Sequence, residues 1–399
     1  MQRKNTFKKI AFVLSILVSL VIVQSIWSQD NDWQKQSVRF APDRILVKFK
    51  PVIPEELKAA VHQRQGGIVV DIIPEIDVHV VQVPKNMVKE KIRAYWKEAP
   101  VEFVEPDYIA FAILTPNDPY FGNQWGMTKI KAPEAWDITK GSPNVKIAIL
   151  DTGIDQDHED LKAKIVANKN FTWSWTVDDR YGHGTHVAGI AAAITNNGKG
   201  VAGVGFNSSL MNVKVLGDNG SGYYSWVANG IIWAADNGAK VINLSLGGAS
   251  PSKTLEDAVK YAWSKGSVLA AAAGNDNTTT PLYPAYYANC IAVAATDKND
   301  AKASFSNYGD WVDIAAPGVD IFSTMPNHKN RLGKRNYGYL SGTSMSAPHV
   351  SGVAALIWTT GYGTSNASVR SRIEGTADEA GTMWSNYKIK RVNAYNAVK

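Results

Sequence analysis

The sequence predicts an α/β protein whose larger part is a mostly parallel sheet with helices on both faces. Hydrophobic residues make up 45% of the 399 positions and charged residues only 20%, which supplies a sizeable core and argues against intrinsic disorder. After residue 115, short runs of β-branched and small residues alternate with alanine-rich stretches. That alternation is typical of strands and helices in a sheet that is buried on both faces.

The first 28 residues have the form of a secretory signal peptide. Arg3, Lys4, Lys8 and Lys9 precede an apolar run over residues 10–23, and polar residues follow. The alternative is a short membrane anchor, because the segment before residue 29 matches the small-x-small cleavage pattern poorly. We therefore expect a secreted protein, or a membrane-tethered one if the signal is retained.

Residues 29–114 are predicted to form a small α+β module. Its element order, β-α-β-β-α-β, is typical of a ferredoxin-like fold. Strands are predicted at 44–50, 69–73, 78–83 and 101–111, and helices at 55–65 and 88–98. An apolar stretch at 110–114 then leads into polar residues, as expected of a linker between two units.

Residues 115–399 are predicted to form the large parallel-sheet unit. Strands are predicted at 145–150, 210–216, 241–246, 268–273 and 291–296, and helices at 186–195, 226–236 and 255–263. In folds of this kind, active residues collect beyond the carboxyl ends of the strands. The single cysteine, Cys290, excludes a disulfide within the chain, so bound ions are one way in which an exported protein of this kind is stabilised.

Three segments combine the residue types of a serine hydrolase. Asp151 follows a predicted strand, His183 lies in Gly-His-Gly-Thr-His before a helix, and Ser344 lies in Gly-Thr-Ser-Met-Ser-Ala-Pro-His before another. A serine hydroxyl is a weak nucleophile that needs a base, and the base needs an orienting group. Pro348 is expected in the first turn of the helix after Ser344, where a missing N–H costs little.

Each segment has an alternative interpretation on its own. Asp-Thr-Gly is a common turn, Ser344 lies where serine caps helices, and His183 and His186 have the i, i+3 spacing of metal ligands. However, the glutamate of the zinc-protease motif His-Glu-x-x-His is absent. The order Asp, His, Ser also differs from the Ser, Asp, His order of lipase-like hydrolases.

With these motifs, residues 115–399 resemble the subtilisin-like serine proteases, and within that family the thermitase-like group. The resemblance implies a three-layer subtilisin-like fold and a serine endopeptidase that forms an acyl-enzyme. It implies that Ser344 is the nucleophile, that His183 is the general base and then acid, and that Asp151 orients the imidazole. The segment Ala-Ala-Gly-Asn implies that Asn275 donates to the oxyanion, together with the backbone N–H of Ser344.

The same resemblance implies how a peptide substrate binds. The family holds its substrate as an added β-strand, and the matching segments here are Ser221–Gly222 and Ser245-Leu246-Gly247. Residues 245–247 and 272–274 would line the pocket for the side chain before the scissile bond, and because both are small or apolar we expect a large apolar side chain there. Tyr224 matches an aromatic residue beside a more distant pocket, with a plain surface tyrosine as the alternative.

The resemblance also implies a structural Ca²⁺ site, for which solvated surface acids are the alternative. The implied ligands are side-chain oxygens and backbone carbonyls of Asp118, Asp160, Ile194, Asn197, Lys199 and Val201. A second calcium loop of the thermitase-like group is not carried over, since residues 170–179 are aromatic and lack most of its acids. The basic stretch 328–335 is longer than the family pattern; it is either a solvated loop or a determinant of substrate charge preference.

The module at 29–114 resembles subtilase prodomains, which act as folding chaperones and as intramolecular inhibitors. We therefore expect self-cleavage between about residues 110 and 115. Beyond protein and peptide substrates, no nucleic-acid partner is expected, since no basic stripe is present, and the protein is expected to be a monomer. Two alternatives remain open here: a membrane-tethered processing protease of narrow specificity and a catalytically silent binding protein with this fold.

Overall fold

A computed structural model of the chain describes residues 40–109, 115–380 and 390–399. The chain divides into two units, Met1–Ala112 and Ile113–Lys399. The predicted signal peptide and nearly all of the predicted self-cleavage segment lie outside the described residues. Within them, no helix is long and apolar enough to cross a membrane.

The N-terminal unit is an antiparallel four-stranded sheet with two helices. Its elements are β1 (Phe40–Phe49), α1 (Glu55–Gln65), β2 (Ile68–Ile73), β3 (Val78–Gln82), α2 (Val88–Tyr95) and β4 (Val101–Tyr108). The strand order is β2-β3-β1-β4, with every pair antiparallel. Alternate residues of β1, namely Ile45, Val47 and Phe49, are buried in one core with Val61 of α1 and Tyr95 of α2. This confirms the predicted ferredoxin-like module.

A polar chain crosses the core of this unit. His62 Nε2 lies 2.9 Å from His79 Nδ1, and His62 Nδ1 lies 3.1 Å from the Tyr95 hydroxyl. His79 Nε2 in turn lies 3.6 Å from a carboxylate oxygen of Asp77, which forms an ion pair with Lys58. Burial, with the charge of His79, lowers the pKa of His62 to about 4, and burial also lowers the pKa of His79.

The C-terminal unit is built on a nine-stranded, mostly parallel sheet. Its strands are β5 (Lys146–Asp151), β6 (Ile165–Asn170), β7 (Ser209–Lys214), β8 (Ala239–Leu244), β9 (Val268–Ala272), β10 (Cys290–Thr296), β11 (Ile314–Pro317), β14 (Asp378–Glu379) and β15 (Lys390–Arg391). The order is β14-β15-β11-β10-β9-β8-β5-β7-β6, and only the β14–β15 pair is antiparallel. A separate antiparallel hairpin consists of β12 (Ile321–Thr324) and β13 (Tyr337–Leu340).

Helices cover both faces of this sheet. They are α3 (Trp125–Lys129), α4 (Ala132–Trp136), α5 (His183–Ala192), α6 (Tyr224–Asp236), α7 (Lys253–Ser264), α8 (Thr343–Ile357), α9 (Asn366–Gly375) and α10 (Ala394–Val398). Side chains of β5 alternate between the two cores: Ile147 and Ile149 pack with α5 and α8, whereas Ala148 and Leu150 pack with α6 and α7. The predicted three-layer architecture is therefore confirmed.

The register of the central strands brings two chain segments to the same edge of the sheet. Ile149 of β5 pairs with Asn243 of β8 in a parallel register. Asp151 is two residues beyond Ile149, and Ser245 is two residues beyond Asn243. The carboxyl ends of these adjacent strands therefore present Asp151 and Ser245 side by side.

Candidate active site

Asp151 and His183 form a direct contact at this edge. Asp151 ends β5 and is fully buried, and its Oδ1 lies 2.8 Å from Nδ1 of His183, the first residue of α5. Burial alone would lower the pKa of His183, but the Asp151 carboxylate, with a smaller effect from Asp179, raises it above its ordinary value. Because Nδ1 is held by Asp151, Nε2 is the nitrogen left to exchange a proton.

The contact between Asp151 and His183 depends on close packing of two backbone segments, the start of α5 and the turn after β5. A Cβ atom on Gly184 would lie 2.1 Å from the carbonyl oxygen of Gly153. No side chain fits there, so the start of α5 and the turn after β5 can touch only through glycine. The glycines of the Asp-Thr-Gly and His-Gly-Thr motifs are therefore what allows Asp151 and His183 to meet.

Asp179 is a buried residue beside the site that the sequence reasoning missed. Its carboxylate is fully buried and accepts hydrogen bonds from the backbone N–H groups of Gly182 (2.7 Å) and Thr185 (2.9 Å) and from the hydroxyls of Thr185 (2.7 Å) and Thr152 (2.9 Å). It thereby satisfies free N–H groups at the start of α5 and ties that helix to the residue after Asp151. An acid four residues before the histidine, with threonine two residues after it, is the signal that could have revealed this cap.

Ser344, the predicted nucleophile, is joined to Ser245 by two hydrogen bonds. The Ser344 hydroxyl donates to the carbonyl oxygen of Ser245 (3.2 Å), and the Ser245 hydroxyl donates to the carbonyl oxygen of Ser344 (2.8 Å). Ser245 adjoins Asp151 in the sheet register, so Ser344 lies at the edge of the sheet where Asp151 contacts His183. Since a hydroxyl has one proton, the Ser344 side chain must turn before it can donate to His183.

The expectation that Pro348 lies in the first turn of the helix is wrong. The helix α8 begins at Thr343, so Pro348 is its sixth residue and lies inside it. Proline cannot donate the N–H that would bond to the carbonyl four residues earlier, which is that of Ser344. The hydroxyl of Ser245 takes the place of that donor, which is why the helix tolerates the proline.

Asn275, the predicted oxyanion donor, is held in one orientation. It follows β9 by three residues, and its Oδ1 accepts hydrogen bonds from the N–H of Thr343 (2.9 Å) and from the Thr343 hydroxyl (3.0 Å). With Oδ1 fixed in this way, Nδ2 is left to donate beside Ser344. The N–H of Ser344 lies in the first turn of α8, where helical N–H groups have no partner within the helix.

In the predicted substrate-binding segment Ser221–Gly222, the two residues differ in whether their backbone N–H and carbonyl groups are free to pair with a peptide. Ser221 donates its N–H to Asn219 Oδ1 (3.1 Å) and accepts the N–H of Gly217 at its carbonyl (2.8 Å), so a local turn already uses both groups. Gly222 has no backbone hydrogen bond to another described residue. Of this pair, Gly222 is the one whose N–H and carbonyl are both open to an added strand.

The other predicted segment, Ser245-Leu246-Gly247, leads into a stretch of chain that contacts Tyr224. A Cβ atom on Gly247 would lie 2.4 Å from the Leu282 side chain, so a larger residue there would require Leu282 to move. The Tyr224 hydroxyl donates to the carbonyl of Ser250 (3.0 Å), which places this ring against the chain that follows Ser245-Leu246-Gly247. Tyr224 therefore lies close to the chain that follows Gly247, and its place beside a substrate pocket stays a prediction.

The predicted calcium ligands also come together. Asn197 donates to Asp160 Oδ1 (2.8 Å) through Nδ2 and to Asp118 Oδ1 (3.2 Å) through its backbone N–H, and the Val201 N–H donates to Asp160 Oδ2 (2.8 Å). Both carboxylates are buried, which raises the pKa of each, and neither forms an ion pair with a lysine or arginine of the described chain. The Ile194 N–H donates to the carbonyl of Asp160 (2.9 Å), and the Lys199 N–H donates to Asn197 Oδ1 (2.8 Å).

Neither of the two motif histidines is placed as a metal ligand. The His186 ring is fully buried, with Nε2 at 3.0 Å from the Ile321 carbonyl and 3.1 Å from the Gly338 carbonyl. Burial lowers the pKa of His186 to about 3, so this ring is neutral. His183 faces Asp151 instead, and the spacing of the two histidines reflects packing of α5 against the β12–β13 hairpin.

The basic stretch 328–335 packs against the loop that leads to His183. Arg331 and Leu332 donate their backbone N–H groups to the carbonyls of Arg180 and Tyr181, each at 3.1 Å. The ring of His328 lies 3.0 Å from the Asp179 carbonyl through Nε2. This segment is therefore part of the surroundings of the site.

Comparison with known proteins agrees with this geometry. The chain matches the subtilase family over residues 142–391 and the fervidolysin N-terminal prodomain family over residues 29–107. It is 44% identical to the thermophilic serine proteinase of Bacillus sp. (strain AK1), over 90% of this chain and 88% of that protein. It is 53% identical to thermitase of Thermoactinomyces vulgaris, over 71% of this chain and 99% of thermitase.

A solved structure supports the same assignment. A protease from Pseudoalteromonas arctica superposes with a TM-score of 0.67 at 36% identity, over 71% of this chain and 99% of that one. Sequence, fold and site geometry agree, and the protein is a member of the subtilase family of serine proteases that carries an N-terminal prodomain.

Proposed function

We propose that the protein is a secreted, self-processed endopeptidase in which Ser344, His183 and Asp151 form the catalytic triad. The observation that carries this proposal is the 2.8 Å contact between His183 Nδ1 and Asp151 Oδ1, at the same sheet edge as Ser344. Secretion is supported by the basic and then apolar start of the sequence.

In the proposed reaction, Ser344 Oγ attacks the scissile carbonyl while His183 Nε2 takes its proton. Asp151 holds the imidazole in the productive tautomer and stabilises its charged form. The oxygen of the tetrahedral intermediate accepts hydrogen bonds from Asn275 Nδ2 and the Ser344 N–H. His183 then protonates the leaving amine, and water hydrolyses the acyl-enzyme by the same steps in reverse.

The substrate is proposed to be an extended peptide that pairs with Gly222 on one side and with residues 245–247 on the other. Edge pairing through backbone groups recognises many sequences, so the specificity is broad. The pocket before the scissile bond is bordered by residues 245–247 and by the apolar end of β9, and a large apolar side chain is the preferred occupant. Tyr224 borders a more distant pocket.

Calcium is proposed to bind where Asp118, Asp160 and Asn197 meet. The site offers two buried carboxylates with no lysine or arginine partner among the described residues, one amide and nearby carbonyls. These are the mixed oxygen donors that Ca²⁺ takes. When bound, the ion would offset the repulsion between the two carboxylates. The proposed ligands are Asp118, Asp160 and Asn197 with the carbonyls of Ile194, Lys199 and Val201.

The N-terminal unit, residues 29–114, is proposed to assist folding and to inhibit the enzyme until it is removed. Parallel strands far apart in sequence pair slowly, and a folded template lowers that barrier. Cleavage is proposed near residues 110–115, carried out by the enzyme itself.

Labelling with a serine-directed phosphonate tests the proposal. The mature protein should react at Ser344 alone, and Ser344→Ala should neither react nor mature when purified. His183→Ala should retain Ser344 but react far more slowly. Labelling at another serine, or efficient maturation of purified Ser344→Ala, would contradict the proposal.

A further inference from the structure

A depression on the C-terminal unit is lined by Ser221 and Gly222, whereas Tyr224 does not line it. It has a volume of about 440 Å³, and its walls include Trp173, Tyr223 and Trp226. Tyr223 and Tyr224 are consecutive but have different partners, since the Tyr224 hydroxyl reaches Ser250 whereas the Tyr223 ring packs on Trp173 and Trp226. We call this depression the aromatic pocket.

The three aromatic rings form a preorganised apolar wall. Their centroids are 4.8 to 5.4 Å apart, and each pair is in an edge-to-face arrangement. Even so, Trp173 is 81% exposed and Tyr223 55% exposed. Several exposed aromatic rings that line one concave site are typical of a place where a ligand binds.

The aromatic pocket has two charged side chains on its wall, Asp218 and Arg331, and they differ in whether they already have a partner. Asp218 already forms an ion pair with the buried Lys214 (3.0 Å) and accepts the Ser174 hydroxyl (3.0 Å). Arg331, held by its backbone on the loop before His183, has no side-chain partner in the described part of the chain. The free charge at this pocket is therefore positive.

The aromatic pocket adjoins the predicted substrate path. Ser221 and Gly222 line it, and Gly222 is also the residue whose backbone is open to an added strand. Ser221 and Gly222 have small side chains and border both the proposed strand path and the aromatic pocket. A side chain of a peptide that pairs with Gly222 would therefore lie beside the aromatic pocket.

We propose that the aromatic pocket is a further substrate subsite, which takes a bulky apolar side chain upstream of the scissile bond and favours an acidic residue beside it. This inference rests on the proposed endopeptidase function. It names Trp173 and Arg331 as specificity-determining residues, and neither belongs to the triad, the oxyanion donors or the segments proposed to pair with the peptide backbone.

The test uses fluorogenic peptides with one fixed sequence around the scissile bond. A single Phe or Ala is placed at each position from the third to the sixth before that bond, and a short peptide lacks these positions. We expect kcat/KM to be about tenfold higher for Phe than for Ala at one position, as burial of an aromatic side chain predicts. Trp173→Ala should reduce that ratio to about twofold or less.

The matched control is Trp175→Ala. Trp175 is also 81% exposed, but its ring stacks with Arg180 and does not line the aromatic pocket. This variant should keep the Phe preference, and both variants should cleave the short peptide like the wild type. An unchanged preference in Trp173→Ala, or no Phe preference at any position in the wild type, would overturn the inference.

The charge preference is tested at the positions flanking the preferred Phe. Glu should be favoured over Lys by about threefold at low salt, which is the size expected of one exposed ion pair. Arg331→Gln should remove the difference, whereas Arg335→Gln, from the same basic stretch, should not. A Glu preference unaffected by Arg331→Gln contradicts the assigned role. Failure of the wild type to cleave even the short peptide would instead refute the proposed function, and the subsite with it.

Discussion

Ser245 and Ser344 exchange hydrogen bonds in both directions, each hydroxyl donating to the carbonyl of the other residue. The Ser245 hydroxyl supplies the donor that Pro348 lacks. The bond from the Ser344 hydroxyl to Ser245 holds the predicted nucleophile in place in the free protein. The strand end that is proposed to bind the peptide backbone therefore also supports the helix that carries Ser344.

Ser245→Ala should lower the free energy of unfolding by about 1–2 kcal/mol, because the Ser344 carbonyl then loses its donor. We expect kcat to fall more than KM rises, since the lost bond positions the nucleophile. Chemical denaturation and steady-state kinetics of the mature enzyme measure the two effects. Ser245→Thr, which keeps the hydroxyl, should recover most of both; an Ala variant as stable and active as the wild type would show that the bond contributes little.

The pH dependence of activity should follow His183. The imidazole must be neutral to accept a proton, and Asp151 raises its pKa above the ordinary value of 6.5. Activity should therefore be full above this raised pKa and be lost as the pH falls through it. The profile of kcat/KM against pH measures the midpoint.

Asp151→Asn removes the charge that raises this pKa. Its acid limb should move to lower pH, and its kcat should fall by about 10⁴-fold, the size known for this change in other triads. A midpoint that does not move in this variant would indicate that a different group titrates.

Asp179 should act as a positioning residue. Asp179→Ala leaves buried donors of Gly182, Thr185 and Thr152 unpaired and should cost about 2–4 kcal/mol of stability. Asp179→Asn keeps one acceptor and should fold, with a lower kcat and a nearly unchanged KM. A change confined to stability in Asp179→Asn would assign this residue a structural role alone.

The folded state of the N-terminal unit should become less stable at acidic pH. The pKa of His62 is about 4 in the folded unit against an ordinary value of 6.5, so the unfolded chain binds more protons between these values. Stability is therefore complete above about pH 6.5 and is lost as the pH falls towards 4. His79 is lowered too and acts in the same direction, although Asp77 and Glu55 oppose it.

Hydrogen exchange of residues 40–109 in the uncut Ser344→Ala protein, at pH 7 and pH 5, measures this effect. The control carries His62→Leu and His79→Val in addition, so that the buried pair no longer titrates. Its protection should change little between the two pH values. Equal losses of protection with and without the histidine pair would contradict the assignment.

Removal of calcium should destabilise the C-terminal unit. A ligand present at about 100 times its dissociation constant adds about 2.7 kcal/mol, which corresponds to roughly 5–10 °C in Tm for a unit of this size. The Tm with calcium and with EDTA should differ by that amount in the wild type and not in Asp160→Asn. The control Asp137→Asn, at an exposed acid outside the site, should keep the full shift.

Much of this fold could be predicted from the sequence because the central strands are continuously apolar. The predicted strand at 268–273 is observed as Val268–Ala272, and that at 291–296 as Cys290–Thr296. The strand β6, Ile165–Asn170, was missed because it lies at the sheet edge and mixes polar with apolar residues. The helix α5 begins three residues before its predicted start, since glycines around His183 hide a helix that tertiary contacts enforce.

The surroundings of the site were less predictable than the motifs. Asp179 and Lys214 are both buried charged residues, and charged residues are ordinarily expected at the surface. Lys214 pairs with Asp218, four residues further on, and also donates to the carbonyl of Thr152, which lies 62 residues earlier in the sequence. The position of Pro348 was mistaken for a similar reason, because the compensating donor, the Ser245 hydroxyl, lies 99 residues before Ser344 in the sequence.

The lone thiol of Cys290 has a practical consequence. It begins β10 in the interior, only 1% exposed, and burial raises its pKa, so it stays protonated and out of reach of reagents. A cysteine introduced on the exposed part of the 328–335 segment would then be the only reactive one in the mature enzyme. A fluorophore attached there would report peptide arrival without any change to the native cysteine.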